Sequence, residues 1–149
     1  MIIFVDADAC PVKAEVMRVA ERHGLIVTMV SNQRLRLPVH PLLRIQVVAD
    51  GLDKADDWIV DQVHPGDIVV TADIPLASRC LGKGARVIGP TGKPFDGDGI
   101  GMALALRDLN AHLRDTGEIR GGAPAFNNKD RSRFLQSLEQ VIQSRKRGQ

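Results

Sequence analysis

The sequence predicts an α/β fold, with a mainly parallel sheet of four or five strands flanked by helices and two extra helices at the C-terminal end. Three observations predict it. Short aliphatic runs alternate with segments whose apolar residues recur at helical spacing. Those runs are nearly continuous, as in strands buried on both faces, and do not alternate apolar with polar. The chain of 149 residues is the size of one domain with its own core.

The elements follow in order. Ile2 to Asp6 reads as a buried strand. Pro11 suits the first turn of a helix and Gly24 its end, with Val12, Val16, Val19 and Ala20 on one face between them. Leu25 to Val30 is a second strand. The stretch SNQRLRLPVHPLLR holds two prolines and reads as a loop, after which Ile45 to Val48 makes a third strand. Asp53 to Val63 is a helix closed by Pro65-Gly66. Asp67 to Thr71 is a fourth strand, Ile74 to Lys83 a helix ended by Gly84, and Arg86 to Ile88 a short fifth strand. Beyond the Gly-rich loop GPTGKPFDGDGIG, the spacing of Met102, Leu106, Leu109 and Leu113 predicts a helix. A last helix starts at Asn127 as cap with Asp130 three residues on, and its apolar face is Phe134, Leu135, Leu138, Val141 and Ile142. The Gly-rich loop has neither GxxxxGK[ST] nor GxGxxG spacing, so it is not read as a nucleotide loop.

Composition narrows the function classes. Hydrophobic residues make up 44% of the chain and aromatics 3%, with no Tyr, so the core is aliphatic. No apolar run approaches the roughly 20 residues that span a bilayer. Met1-Ile2-Ile3 lacks the basic region of a signal peptide. Two cysteines, Cys10 and Cys80, are too few for a disulfide framework or a zinc site. The expectation is a soluble cytoplasmic protein with no membrane partner. A net charge of +2 does not by itself imply nucleic-acid binding. Basic residues do cluster, however, at Lys129, Arg131 and Arg133 and at Arg145-Lys146-Arg147.

The acids carry the chemistry. FVDADAC ends the first strand in Asp6 and Asp8, TADIPLA ends the fourth at Asp73, and GLDKADDWIV sets Asp53, Asp56 and Asp57 after the third. Each has a plain reading as a helix cap: Asp8 for the first helix, Asp53 for the next, Asp73 for the third, at roughly 1 kcal/mol apiece. Taken together they ask for more. The C-terminal ends of parallel strands share one edge, where open α/β sheets place their ligands. Two like charges about 5 Å apart repel by roughly 3 kcal/mol at an effective dielectric near 20. A divalent cation reverses that sign, and an all-oxygen donor set points to Mg²⁺ or Mn²⁺. Asp6, Asp8, Asp53, Asp56 and Asp73 are the candidate metal ligands.

Two reactions use such acids. A DxD phosphatase attacks phosphorus with its first Asp and protonates with its second. Here Cys10 stands where that superfamily prefers Thr or Val, and a downstream lysine followed by a paired-Asp strand end is missing. Metal-assisted phosphodiester hydrolysis needs only acids to hold metal, and it suits dispersed carboxylates better. A third reading is a binding or regulatory domain that keeps the acidic pocket without turnover.

The motifs DADACPVK, NQRLRLP, VVADGLDKADDWIV and GDIVVTADIPLA, with the late GG…F…DR…F segment, resemble the YaiI/YqxD family over nearly the whole chain. That family is related in fold to PIN-type nucleases, whose strand-terminal acids bind Mg²⁺ or Mn²⁺ and cut RNA. The resemblance implies a single PIN-like (Rossmann-like) domain over residues 1–149, a metal-dependent nuclease activity and RNA as the partner. Asp6 resembles the first PIN acid, Asp73 the later one, and Asp56, with Asp53 nearby, the middle one, so the resemblance implies Asp6, Asp56 and Asp73 as the catalytic residues. Asp8 belongs to the family's own motif. After the fifth strand the chain reads GKPFDGDG, where family members often carry R-x-Y-T.

Substrate-binding candidates lie on segments expected at the same edge: Lys13 one turn into the first helix, and Asn32, Arg34 and Arg36 after the second strand. Each also has a plain reading, as a solvated helix lysine or a polar loop. Cys10 reads as a small buried residue before proline in preference to a reactive thiol. Trp58 reads as core, and His23, His40, His64 and His112 are too scattered to lead a mechanism. Without Tyr, a stacking surface for single-stranded nucleic acid has little support.

Overall fold

A computed structural model describes residues 1–51, 53–96, 99 and 126–148. Strand β1 (Ile2–Asp6) runs into a single 3₁₀ turn (Ala7–Ala9) and helix α1 (Lys13–His23). Then come β2 (Ile26–Ser31), β3 (Leu43–Val47), α2 (Lys54–Gln62), β4 (Ile68–Val70), α3 (Ile74–Gly82), β5 (Arg86–Ile88), β6 (Pro94–Phe95) and α4 (Asn128–Lys146). The strands form one sheet in the order β3-β2-β1-β4-β5-β6. Every pairing is parallel except β5 with β6, where Val87 faces Phe95 and Ile88 faces Pro94.

This is the Rossmann-like α/β architecture that the alternating pattern predicts, with a sixth strand added. Two residues, one of them proline, carry too little periodicity to be read as a strand, and proline is tolerated there because β6 is an edge. The helix expected around Met102 to Leu113 lies outside the described residues.

Strand alternation sorts the core into two layers. Ile3 and Val5 of β1, Val27 and Met29 of β2, and Ile68 and Val70 of β4 face α1 and α4, whose Val16, Val19, Phe134, Leu138 and Ile142 are buried against them. Phe4, Val30, Val69 and Val87 point the other way, onto Ala55 and Ile59 of α2 and Leu76, Ala77 and Cys80 of α3. Trp58 packs at the edge of that second layer, its ring 6.3 Å from Phe4 at 63°. It belongs to the core, as expected from the sequence.

Helix ends follow local chemistry. Gly24 closes α1 in the left-handed region at φ 67°, with Leu25 N–H donating to the Ala20 carbonyl at 3.0 Å. Asn127 and Asp130 form a reciprocal capping box on α4. Two expected caps do not form. Helix α1 begins after Val12 with no side-chain cap, because Asp8 is held four residues earlier in the 3₁₀ turn. Asp53 is the N-cap residue of α2 by position, but at φ 63° its side chain makes no capping bond.

Candidate functional site

The strand order reverses direction between β1 and β4, so the crevice beyond their C-terminal ends is the natural ligand position of this sheet. A cleft of about 230 Å³ opens there. Asp6, Cys10, Thr71, Asp73 and Pro90 line it, from the ends of β1, β4 and β5 and the turns that follow.

Thr71 organises the two acids. Its buried hydroxyl donates to Asp6 Oδ2 at 3.0 Å and accepts from the Asp73 N–H at 3.0 Å. Asp73 caps α3, taking the Leu76 N–H on Oδ1 at 2.9 Å. Each acid thus spends one oxygen on the scaffold. Among the described residues, the other oxygen of each accepts no hydrogen bond. Burial raises the Asp6 carboxyl above its ordinary value; the Thr71 hydroxyl opposes that shift, and the charges of Asp73 and Asp8 reinforce it.

Asp56 sits at the third position of α2, half-buried and outside the lining of the cleft. Its carboxyl is pushed up to about 6, first by burial and then by the charges of Asp73, Asp6 and Asp53, with Arg79 pulling the other way. Three acids from three elements therefore share one electrostatic neighbourhood. Arg79, on α3, is committed to Asp57 at 2.8 Å.

Asp8 and Asp53 stand differently. Asp8 is exposed and accepts from Ser31 Oγ and, with both oxygens, from the Asn32 N–H at 3.1 Å. It ties the 3₁₀ turn to the end of β2. Asp53 is exposed at the entrance to α2. Lys13 donates from Nζ to the Cys10 carbonyl at 3.2 Å, and Arg34 and Arg36 project outward while Leu35 and Leu37, which alternate with them, pack on the core. None of these three cations lines the cleft. Asn32 Oδ1 is buried and has no hydrogen-bond partner among the described residues. Burial raises the Cys10 thiol above its ordinary value, and burial holds the Cys80 thiol at about 11. Neither is poised as a thiolate.

Whether these residues suit a divalent cation can be judged from the donors present. Among the described residues, no three His, Cys, Asp or Glu side chains stand together closely enough to enclose an ion. Mg²⁺ does not require such a cage, since it keeps several waters and is held by one or two carboxylates plus substrate phosphate. Asp6 and Asp73, each with an oxygen to spare on one cleft, meet that description.

The sequence profile of the uncharacterised YaiI/YqxD family matches residues 4–144. The chain belongs to the YaiI/YqxD family. A UPF0178 protein of Parvibaculum lavamentivorans is 58% identical over 145 residues, covering 97% of this chain and 95% of its own. The UPF0178 protein R01393 of Rhizobium meliloti is 56% identical over 146 residues, 98% of this chain and all of its own. The UPF0178 protein Atu1478 of Agrobacterium fabrum is 57% identical over 137 residues, covering 92% and 90%.

Sequence reading of this YaiI/YqxD chain passes over Thr71 and Ser31, on which its acids depend. A signal for both was present. Each is a Ser or Thr at a strand end whose hydroxyl accepts the N–H two residues on, Asp73 for Thr71 and Gln33 for Ser31 at 3.0 Å. Arg79 could be found only from the packing of α2 against α3. Among the described residues, no helix is long and apolar enough to cross a membrane.

Proposed function

We propose that this chain is a divalent-cation-assisted phosphodiesterase acting on nucleic acid, with RNA as the substrate implied by its resemblance to PIN-type nucleases. One observation carries the reading: Asp6 and Asp73, at the ends of adjacent parallel strands, line one cleft at the sheet's switch point, each with a carboxylate oxygen left over. Asp6 and Asp73 would hold Mg²⁺ or Mn²⁺. When bound, such an ion supplies positive charge against the negative charge developing on the phosphate and a lowered pKa for the attacking water.

The chain's own residues do the rest. Thr71 fixes the separation of Asp6 and Asp73 through its two hydrogen bonds, so the site costs little reorganisation when a phosphate arrives. Asp56 adds a third negative charge beside the pair, deepening the affinity for a cation. Asp8 is held by Ser31 and Asn32 and does not line the cleft, which disfavours the DxD phosphatase reading, where that residue would protonate a leaving group.

The test is incubation of labelled single-stranded RNA with the purified protein and Mn²⁺, with and without EDTA. Cleavage is expected with Mn²⁺ alone, and Asp73→Asn should abolish it while leaving the fold intact, because Asn caps a helix about as well as Asp. RNA left whole by the wild type at every Mn²⁺ concentration would sink the nuclease reading and leave a binding domain.

A further inference from the structure

The turn between β5 and β6 has two sides. Pro90, on one side, lines the acid cleft. Gly92 and Lys93, on the other, form one wall of a separate open groove of about 530 Å³. Three residues of chain span no more than about 11 Å, so cleft and groove are neighbours joined by a single turn. The turn is closed internally by Gly92 N–H to the Gly89 carbonyl and Gly89 N–H to the Lys93 carbonyl, both 2.9 Å. It also rests directly on α4: Gly92 sits at φ 90°, and a Cβ there would lie 2.7 Å from the Arg133 carbonyl.

The opposite wall is one face of α4. Arg133, Gln136, Ser137 and Gln140 line the groove at helical spacing. The same face continues towards the helix start into an adjoining hollow of about 380 Å³, where Lys129 and Ser132 join Arg133. From Lys129 to Gln140 the stripe is about 16 Å long at 1.5 Å per residue. Among the described residues, no side chain lining either hollow is acidic. The Arg133 side chain is 68% exposed, and its distant pair with Asp130 at 3.8 Å leaves its donors available. At the helix start the capping box of Asn127 and Asp130 satisfies the N–H groups of those two residues. Arg131, between two members of the stripe, turns inward to Glu15 and the Pro11 carbonyl at 2.9 Å and stacks on Phe126.

A long open groove with three cations, hydroxyls and amides and, among the described residues, no acid suits repeated phosphates joined by sugars. We infer that this groove binds the sugar–phosphate backbone of a nucleic-acid strand and leads it to the cleft at Asp6 and Asp73. The inference rests on the phosphodiesterase reading for its direction, and its test is separate.

The probe is a short labelled single-stranded RNA, titrated in EDTA so that nothing is cut, against wild type and the triple variant Lys93→Ser, Lys129→Ser, Arg133→Ser. All three positions are exposed, and an unchanged circular-dichroism melt confirms the fold. Affinity should fall at least about tenfold at low salt, and the slope of log K against log salt should shrink by about 2, near 0.7 for each lost phosphate contact on a single strand. The double variant Lys93→Ser, Lys129→Ser, which leaves the α4–turn contact untouched, should show about two-thirds of that slope change. Unchanged affinity and slope in both variants would overturn the groove. Hydrolysis of bis(p-nitrophenyl) phosphate with Mn²⁺ reads the cleft alone, because that ester is too short to reach the stripe. Lost RNA binding beside an inactive wild type would keep the groove and end the nuclease reading. Diester hydrolysis with unaltered RNA binding in the variants would do the reverse.

Discussion

Asp56 shows what the acid edge costs the fold. Its carboxyl stands at about 6 against an ordinary 3.8, first because of burial and then because of three neighbouring acids. A carboxyl raised on folding keeps its proton in the native state over a range where the unfolded chain has lost it. Stability therefore falls as pH rises from about 4 to about 6 and is flat above. The group is half-exposed, so solvent screens the effect to about 1 kcal/mol. Asp56→Asn in EDTA should flatten that part of the curve and be more stable than wild type at neutral pH, with little difference below pH 4. Urea melts across this range measure it. An equal fall in both proteins would show that neither burial nor the neighbouring charges shift Asp56. Asp6 shifts in the same direction for the same first cause, so the slope should shrink without vanishing.

Elements were legible where one local signal dominated. Gly24 ends α1 through its left-handed backbone, and Asp73 and Asn127 cap α3 and α4 by accepting an N–H three residues on, all signals read within one turn. Asp8 and Asp53 were misread as caps for the opposite reason: an aspartate can also bond across the sheet or sit at positive φ, and only tertiary structure chooses. Asp8 finds Ser31 and Asn32, 23 and 24 residues away. Strand β6 was missed because its pairing with β5 depends on a turn, and that turn depends on Gly92. Two predictions belong here. Asp73→Ala should cost about 1 kcal/mol in apo stability and Asp73→Asn only a few tenths, the difference being the α3 cap. Gly92→Ala should cost more, about 2 kcal/mol, since it combines a positive φ with a contact on the Arg133 backbone that cannot give way. Equal melting temperatures for Gly92→Ala and wild type would show that the turn does not rest on α4 in solution.

Across the whole molecule, two acids far apart in sequence meet because the strand order puts β1 beside β4. The alternation of strands and helices made a shared edge foreseeable, and strand-terminal aspartates marked it. The same reasoning could not separate acids that line the cleft from those that support it. Asp67, at the start of the fourth strand and so away from this edge, is buried and takes the Ile2 and His64 N–H groups at 3.0 and 2.9 Å. Nor was the α4 stripe legible, because Lys129, Arg131 and Arg133 alternate in sequence while helix geometry turns Arg131 away from the other two. The basic tail also has work inside the fold: Arg145 lies over Gly66, and Lys146 meets His23 at 2.9 Å. What remains is whether the meeting of Asp6 and Asp73 is a cation site. A ligand that binds only the folded chain stabilises it by about 2.7 kcal/mol at 100 times its dissociation constant. For a chain of this size that is roughly 5–10 °C in Tm. Mn²⁺ should produce such a rise in wild type. Asp6→Asn should start from an equal or higher Tm in EDTA, through relieved repulsion, and respond far less to the metal. A wild-type Tm indifferent to Mn²⁺ and Mg²⁺ would leave these aspartates as sheet-edge anchors and caps alone.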